Sequence, residues 1–368
     1  MLNPTVSVIV PVFNVAKYLR KCLDSILAQS ERDIEILCGD GGSKDGSLEI
    51  LREYEQNDKR IHVISKPGSG YGESVNDCIK IAKGSYIGIV ESDDFIAPNM
   101  YRDMVRIAKK CNADIVRADF YSFYEEPLGA EKKTYNVLMK HKRYYNRIIN
   151  PQNERELYRS WLTTWSGIYK RTWLLENDIW HNQSPGAAFQ DVGFWFQTMC
   201  YAHRIVFLRH PYYYWRQDNP NASVKCINTI CSHTYNEYKN IWDNLSKTRS
   251  IIGDTNRDVL CWRQFCSYMW VANQLSGETL RRHMKMLKSD FNNLDKEGYL
   301  DLSFFRPKEI SFLKQVLTSE NCEPQDFFAM NGYELRYLAG LPKWLQRVIC
   351  AYFIYGIKYI FYSLKTML

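Results

Sequence analysis

Tyr86-Ile87-Gly88-Ile89-Val90 runs directly into Glu91-Ser92-Asp93-Asp94, and that junction decides how the chain is read. An apolar run of this length, closed by a polar cluster, predicts a buried strand. The acids fall at its carboxyl end, where parallel sheets receive ligands. Working outward, Val6 to Phe13 is a second apolar run, ending at Asn14. Ile34 to Cys38 is closed by Gly39-Asp40-Gly41-Gly42-Ser43, and Ile61 to Ser65 leads into a glycine-rich loop from Pro67 to Gly72. Asp114 to Phe120 is strand-like as well. Between these runs, Tyr18, Leu19, Cys22, Leu23, Ile26 and Leu27 fall at helical spacing. Further helices are expected over Leu48 to Tyr54, up to about Lys83, and over Met100 to Lys109. Strand and helix in alternation predict an α/β fold, a mostly parallel sheet with helices on both faces. The polar clusters at 39–45, 67–76 and 91–94 all follow predicted strands, and they converge on one edge of the sheet.

Residues 121–160 are polar and mixed and read as a long excursion. Trp165 to Tyr169, a helix over Val192 to Tyr201 and the run Ile205 to Tyr214 return to the sheet. From Val224 to Ala339 the apolar residues recur three and four apart, the pattern of an all-helical region. The expected domains are 1–220, with a break near Asn219-Pro220-Asn221, a helical domain over 221–340, and a separate tail over 341–368.

Composition narrows the function. With 45% hydrophobic and 24% charged residues, the chain has an ordinary globular balance that excludes disorder. Lys and Arg exceed Asp and Glu by 48 to 41, a net +7 that is too modest to call for a nucleic-acid partner. The 11 cysteines include no C-x-x-C pair, and Cys22, Cys38 and Cys78 sit inside apolar runs. They read as reduced core thiols in a cytoplasmic protein. No signal peptide is expected from the Met-Leu-Asn-Pro start, and no uncharged stretch is long enough to span a bilayer.

Each motif has a structural reading beside the functional one. Glu91 to Asp94 supplies the oxygen ligands that a hard cation and a nucleotide diphosphate require, but Asp also serves a turn before Pro98. Gly68-Ser69-Gly70-Tyr71-Gly72 resembles a dinucleotide fingerprint, yet its third glycine would fall at Glu73 and the motif follows the third strand. Asp191, in Gln190-Asp191-Val192-Gly193, is either a first-turn acid favoured by the helix dipole or a general base.

In order along the chain, these pieces resemble the family-2 glycosyltransferases of the GT-A fold. Val6 to Asn14 is similar to that family's first strand, and Asp40-Gly41-Gly42-Ser43-Lys44-Asp45-Gly46-Ser47 resembles its D-D-G-S-T-D-x-S turn. Lys66 to Asn76 resembles its next loop, Glu91 to Asp94 its D-x-D-D motif, and Gln190-Asp191 its E-D pair. Trp165 to Arg171 and Pro211 to Arg216 fit as well, so the resemblance covers about residues 5–220.

The resemblance implies an inverting transfer of a sugar from a nucleotide diphosphate donor, usually a UDP-sugar, to a glycan or lipid-linked glycan. Pro11, Val12, Phe13 and Asn14 would line the donor pocket with Gly42, Ser43, Asn76 and Ser92, and Asp40 would hold the base or its turn. Asp93 would contact the ribose or the metal, and Asp94 would bind Mg²⁺ or Mn²⁺ at the diphosphate. Asp191 would be the catalytic base, with Trp165, Gln190 and Arg216 at the acceptor. Two departures bear on the nucleobase: Gly41 stands where the family has its second Asp, and Val75 where it often has Arg. The alternative is a carbohydrate- or nucleotide-sugar-binding pseudoenzyme that never turns the donor over.

The tail is read from spacing alone. After Glu334 no acid follows, while Lys343, Arg347, Lys358 and Lys365 share one stripe of a helix turning about 100° per residue. The rest of its surface is apolar, including Trp344, Leu345, Ile349, Phe353 and Phe361. The pattern predicts a helix lying on an anionic bilayer, at the inner face of the cell membrane, the alternatives being a helix packed on its own protein with the basic stripe facing solvent, or a contact with a second copy of the chain.

Overall fold

Strands β1 (Val6–Val12) and β2 (Ile34–Asp40) are buried at every residue, which is why both read as unbroken apolar runs. The chain is described by a computed structural model over residues 3–125, 130–225, 227–248, 256–275, 277–320 and 322. The remaining strands are β3 (Ile61–Ser65), β4 (Tyr86–Ile89), β5 (Phe95–Ile96), β6 (Ile115–Glu125), β7 (Glu131–Asn136), β8 (Ile148–Ile149), β9 (Gly167–Lys170) and β10 (Ile205–Arg216).

They form one mixed sheet in the order β3-β2-β1-β4-β9-β6-β10-β5, with β7 added to β6 and β8 to β10. β1, β2, β3 and β4 are mutually parallel, as are β6 and β10. β9 enters antiparallel between β4 and β6, and β5, β7 and β8 also pair antiparallel. The expected α/β class holds, and the sheet is less uniformly parallel than the alternation suggested. The supposed excursion over 121–160 is partly sheet. β6 continues to Glu125, and β7 pairs back on it from Phe120↔Asn136 to Glu125↔Glu131.

Helices α1 (Ala16–Leu27), α2 (Ser47–Asn57), α3 (Tyr71–Ile81) and α4 (Met100–Cys111) connect the early strands. α1 turns Tyr18, Leu19, Cys22, Leu23 and Ile26 inward, the spacing seen in the sequence. α5 (Arg171–Glu176) follows β9, and α6 (Gln190–Tyr201) precedes β10. The chain reverses its direction of winding between β1 and β4, so their carboxyl ends flank a crevice.

Two compact units meet between Asn256 and Arg257. The first takes in α7 (Ile227–Thr248), beyond the break expected at residue 220, because α7 packs on α6. In the second unit, α8 (Arg257–Ala272), α9 (Gly277–Lys296) and α10 (Pro307–Thr318) bury Tyr268, His283, Leu287, Phe291 and Leu313. There Tyr268 donates to Asp290, and the His283 ring stacks on Tyr268 at 5.0 Å. The 341–368 tail lies outside the described residues. No helix among the described residues is long and apolar enough to cross a membrane.

Candidate active site

The crevice is built from turns that hold one another. The Asp40 carboxylate is buried and accepts the N–H groups of Gly42 and Ser43, each at 3.1 Å, and the Ser65 hydroxyl at 3.0 Å. Asp40 therefore shapes the turn after β2. Asn14, in the left-handed region with φ 50°, locks that turn to the end of β1. Its N–H donates to Ser43 Oγ at 3.0 Å, and its Oδ1 accepts the Lys44 N–H at 2.8 Å. The glycine-rich loop closes over the same turn, with Gly68 N–H donating to the Gly41 carbonyl at 3.0 Å. Phe13 stands 61% exposed at the mouth, a bare aromatic face beside this cradle. A Cβ on Gly41 would come within 2.9 Å of the Ser69 carbonyl and 3.4 Å of Phe13, so this loop leaves no room for a side chain there.

At the end of β4 the three acids divide by environment. Asp94 is buried; its Oδ2 accepts from Tyr213 OH at 2.7 Å and its Oδ1 from the Arg216 N–H at 2.6 Å. Burial pushes its carboxyl well above the usual carboxylate range, and neighbouring Asp93 adds to the shift. Asp93 is half-buried and raised by burial, with Oδ2 accepting from Asn219 Nδ2 at 2.8 Å. Glu91 accepts from Tyr71 OH at 2.7 Å, and burial pushes it up to about 8. Asp93 thus presents the more open carboxylate, while Asp94 ties the motif to β10.

No group of three or more His, Cys, Asp and Glu able to hold a metal occurs among the described residues. Asp94, expected to hold the metal, is buried with both oxygens engaged by Tyr213 and the Arg216 N–H, so the more open Asp93 is the carboxylate left to meet a hard cation that takes its other ligands from water and phosphate. The residues present fit such an ion.

Asp191 opens α6, one residue after Gln190, and the residue before them, Phe189, is held at φ 68°. An aromatic side chain in the left-handed region marks a turn fixed by its surroundings. The charge of Asp191 acts on Tyr71, Glu91, Tyr169 and Glu237, which brings its carboxylate within electrostatic reach of Glu91 although 100 residues separate the two in sequence.

Several residues expected to meet ligand are engaged with the protein instead. Asn76 pairs with the backbone of His181, donating at 2.8 Å to its carbonyl and accepting its N–H at 3.0 Å. Gln190 donates to the carbonyls of Ser184 and Gly186 at 3.3 and 3.2 Å, fixing the loop before Asp191. The Arg216 guanidinium donates to the Asp93 carbonyl at 2.8 Å, pairs with Glu125 and Asp218 at 3.2 Å, and lies over Tyr18 at 4.6 Å. It supports the acidic motif from beneath. Trp165 is buried and stacks on Tyr213 at 4.2 Å, whereas Trp161, edge-on to the same Phe120 at 5.5 Å, is 43% exposed. Trp161 escaped notice because an isolated Trp in a polar stretch carries no periodicity.

A switch-point crevice rimmed by acids and a glycine-rich turn is the architecture of an α/β domain of the GT-A kind. Residues 7–179 match the model of Glycosyl transferase family 2. The chain is 30% identical over 225 residues to the uncharacterized glycosyltransferase EpsJ of Bacillus subtilis, covering 60% of this chain and 62% of that protein. It is 38% identical over 114 residues to the poly(ribitol-phosphate) beta-glucosyltransferase of Bacillus spizizenii, covering 30% of this chain and 18% of that one. The chain thus spans less than two thirds of the length of these relatives. Residues 1–349 of S. aureus TarS share the fold, with a TM-score of 0.61 at 20% identity over 85% of this chain and 90% of that one.

Proposed function

We propose that the protein is an inverting glycosyltransferase that moves a sugar from a UDP-sugar to a glycan acceptor in bacterial surface polysaccharide synthesis. The observation that carries this reading is that Asp191, at the start of α6, lies close enough to Glu91 at the end of β4 for its charge to act there. A transferase needs a diphosphate site and a base for the acceptor close to each other, and this arrangement supports that reading. The family match supports the reaction class, and the crystal structure of S. aureus TarS 1–349 with UDP-GlcNAc supports a UDP-sugar donor.

In this reading Phe13 and the turn from Asp40 to Ser43 receive the nucleoside, and Asp93, held by Arg216 and Asn219, faces the diphosphate. A bound Mg²⁺ or Mn²⁺ would be held by Asp93 with Asp94 behind it, and would neutralise charge developing on the leaving diphosphate. Asp191 accepts the proton of the attacking hydroxyl. The acceptor oxygen bonds to the anomeric carbon as the bond to the nucleotide breaks, and UDP departs with the electron pair. Trp161 offers the acceptor an aromatic face. An acceptor carried on a lipid would suit the basic, acid-free sequence over 341–368.

Thermal-shift screening of UDP-sugars tests the donor, and Asp191→Asn tests the base. A UDP-sugar should stabilise the protein in Mg²⁺ or Mn²⁺ and lose that effect in EDTA or in Asp93→Ala. Asp191→Asn should bind the same donor and lose about 10² to 10⁴ in turnover. Full turnover in EDTA would remove the metal, full turnover by Asp191→Asn would remove the base, and binding without any transfer would leave a sugar-binding pseudoenzyme.

A further inference from the structure

Helix α7 brings a carboxylate to the back of the site that the reaction above does not use. Glu237 is 1% exposed. Its Oε1 accepts from Asn182 Nδ2 at 2.7 Å and lies 3.1 Å from where a Cβ on Gly193 would stand. The Gly193 N–H and the Ser184 hydroxyl also act on the carboxyl, while Oε2 has no hydrogen-bond partner. One turn earlier on α7, the His233 ring comes within 3.3 Å of the Cβ position of Gly186. The Gly186 carbonyl in turn accepts the Tyr71 N–H at 2.9 Å and Gln190 Nε2 at 3.2 Å. Through Glu237, α7 therefore touches both ends of the segment from Asn182 to Gly193, and through His233 its middle, and Asp191 lies inside that segment.

We propose that Glu237 is a positioning residue for Asp191, clamping the first turn of α6 and the loop before it onto α7. The clamp is independent of the glycosyltransferase reading; only the consequence for turnover rests on it. Burial, and less strongly the charge of Asp191, push the Glu237 carboxyl up to about 8. The groups facing it are Asp191 from α6, the neutral Asn182 and Ser184, and on its own helix His233, which burial holds below its ordinary value. At neutral pH Glu237 therefore carries its proton, and Oε2 is the oxygen left to hold it.

The sign follows from linkage. A carboxyl raised in the folded state contributes its full stability below its ordinary value of 4.5 and loses it progressively as pH rises toward 8. Glu237→Gln keeps the shape and the acceptor for Asn182 and removes the titration. Urea unfolding of both proteins from pH 5 to 8.5 should show the wild type losing ground to the variant, by up to about tenfold in equilibrium constant per pH unit. In an Asp191→Asn background that pH-dependent gap should shrink. Glu237→Ala should lower kcat more than tenfold with the donor KM little changed, and Glu237→Gln should restore most of it at pH 7. A pH-independent difference between wild type and Glu237→Gln would overturn the clamp. So would a folded Glu237→Ala protein with wild-type kcat. If no UDP-sugar is turned over by the wild type, the function fails, and the unfolding series still decides the clamp because it needs no sugar.

Discussion

Tyr213→Phe removes one oxygen atom from the centre of the site, and its effect can be worked out from the structure. Tyr213 is fully buried, donates to Asp94 Oδ2 at 2.7 Å and accepts the Glu91 N–H at 2.9 Å. Phenylalanine keeps the ring stacked on Trp165 at 4.2 Å, so packing is conserved and only the hydroxyl is lost. Two buried groups are then stranded, the Glu91 N–H and one oxygen of Asp94. A stranded buried donor or acceptor costs about 1–3 kcal/mol. Asp94 keeps its bond from the Arg216 N–H, so the combined cost should be roughly 2–4 kcal/mol. A loss near 3 kcal/mol is about a hundredfold in local opening, at tenfold per 1.4 kcal/mol. Hydrogen–deuterium exchange reads this without assuming that the two units unfold together. Peptides covering 86–96 and 205–216 should exchange faster, while those from the helices after Arg257 should not change. Unaltered exchange in both strands, with stability within about 0.5 kcal/mol of wild type, would refute the assignment of Tyr213 as the tie between β4 and β10.

Gly72→Ala should destabilise the first unit by about 1–3 kcal/mol, because the added Cβ would stand 1.9 Å from the Asn182 carbonyl and force backbone apart; chemical denaturation checks it, and a neutral result would mean that the 181–189 loop yields freely. Removing residues 341–368 should leave a folded protein that no longer sediments with anionic liposomes; equal sedimentation of the full-length and truncated chains would rule out the membrane reading of that segment.

Much of the architecture was legible because β1, β2 and β4 are buried on both faces and so carry continuous apolar sequence. β7 was missed for the opposite reason. Glu-Lys-Lys-Thr-Tyr-Asn is a polar edge strand whose residues alternate between exposed and half-buried, and nothing in it announces pairing. β9 was seen as a return to the sheet, but strand direction leaves no trace in composition. In the site, the motifs located the turns correctly and were silent on orientation. Asn76 and Arg216 look like ligand contacts in sequence, yet each finds a backbone partner more than a hundred residues away. A shorter but still long separation hid Glu237, whose partner Asn182 lies 55 residues upstream. Local pattern cannot report a hydrogen bond closed by topology.

The order of the sheet also governs when it can be completed during synthesis. β9 fills the gap between β4 and β6, and β10 brings Tyr213 and the Arg216 N–H to Asp94 across 119 and 122 residues. At about 5–20 residues per second, a ribosome takes roughly 6–24 s to cover that distance. For that interval Asp94 lacks both of its partners, and until β9 appears the nascent chain holds β1 to β4 with the β4 edge open. Such an edge is a template for pairing with another chain, so the emerging protein has a built-in need for shielding before β9 appears. β9 ends this exposure and β10 then finishes the acidic motif, so truncated chains stopping before β9 should be the ones that aggregate.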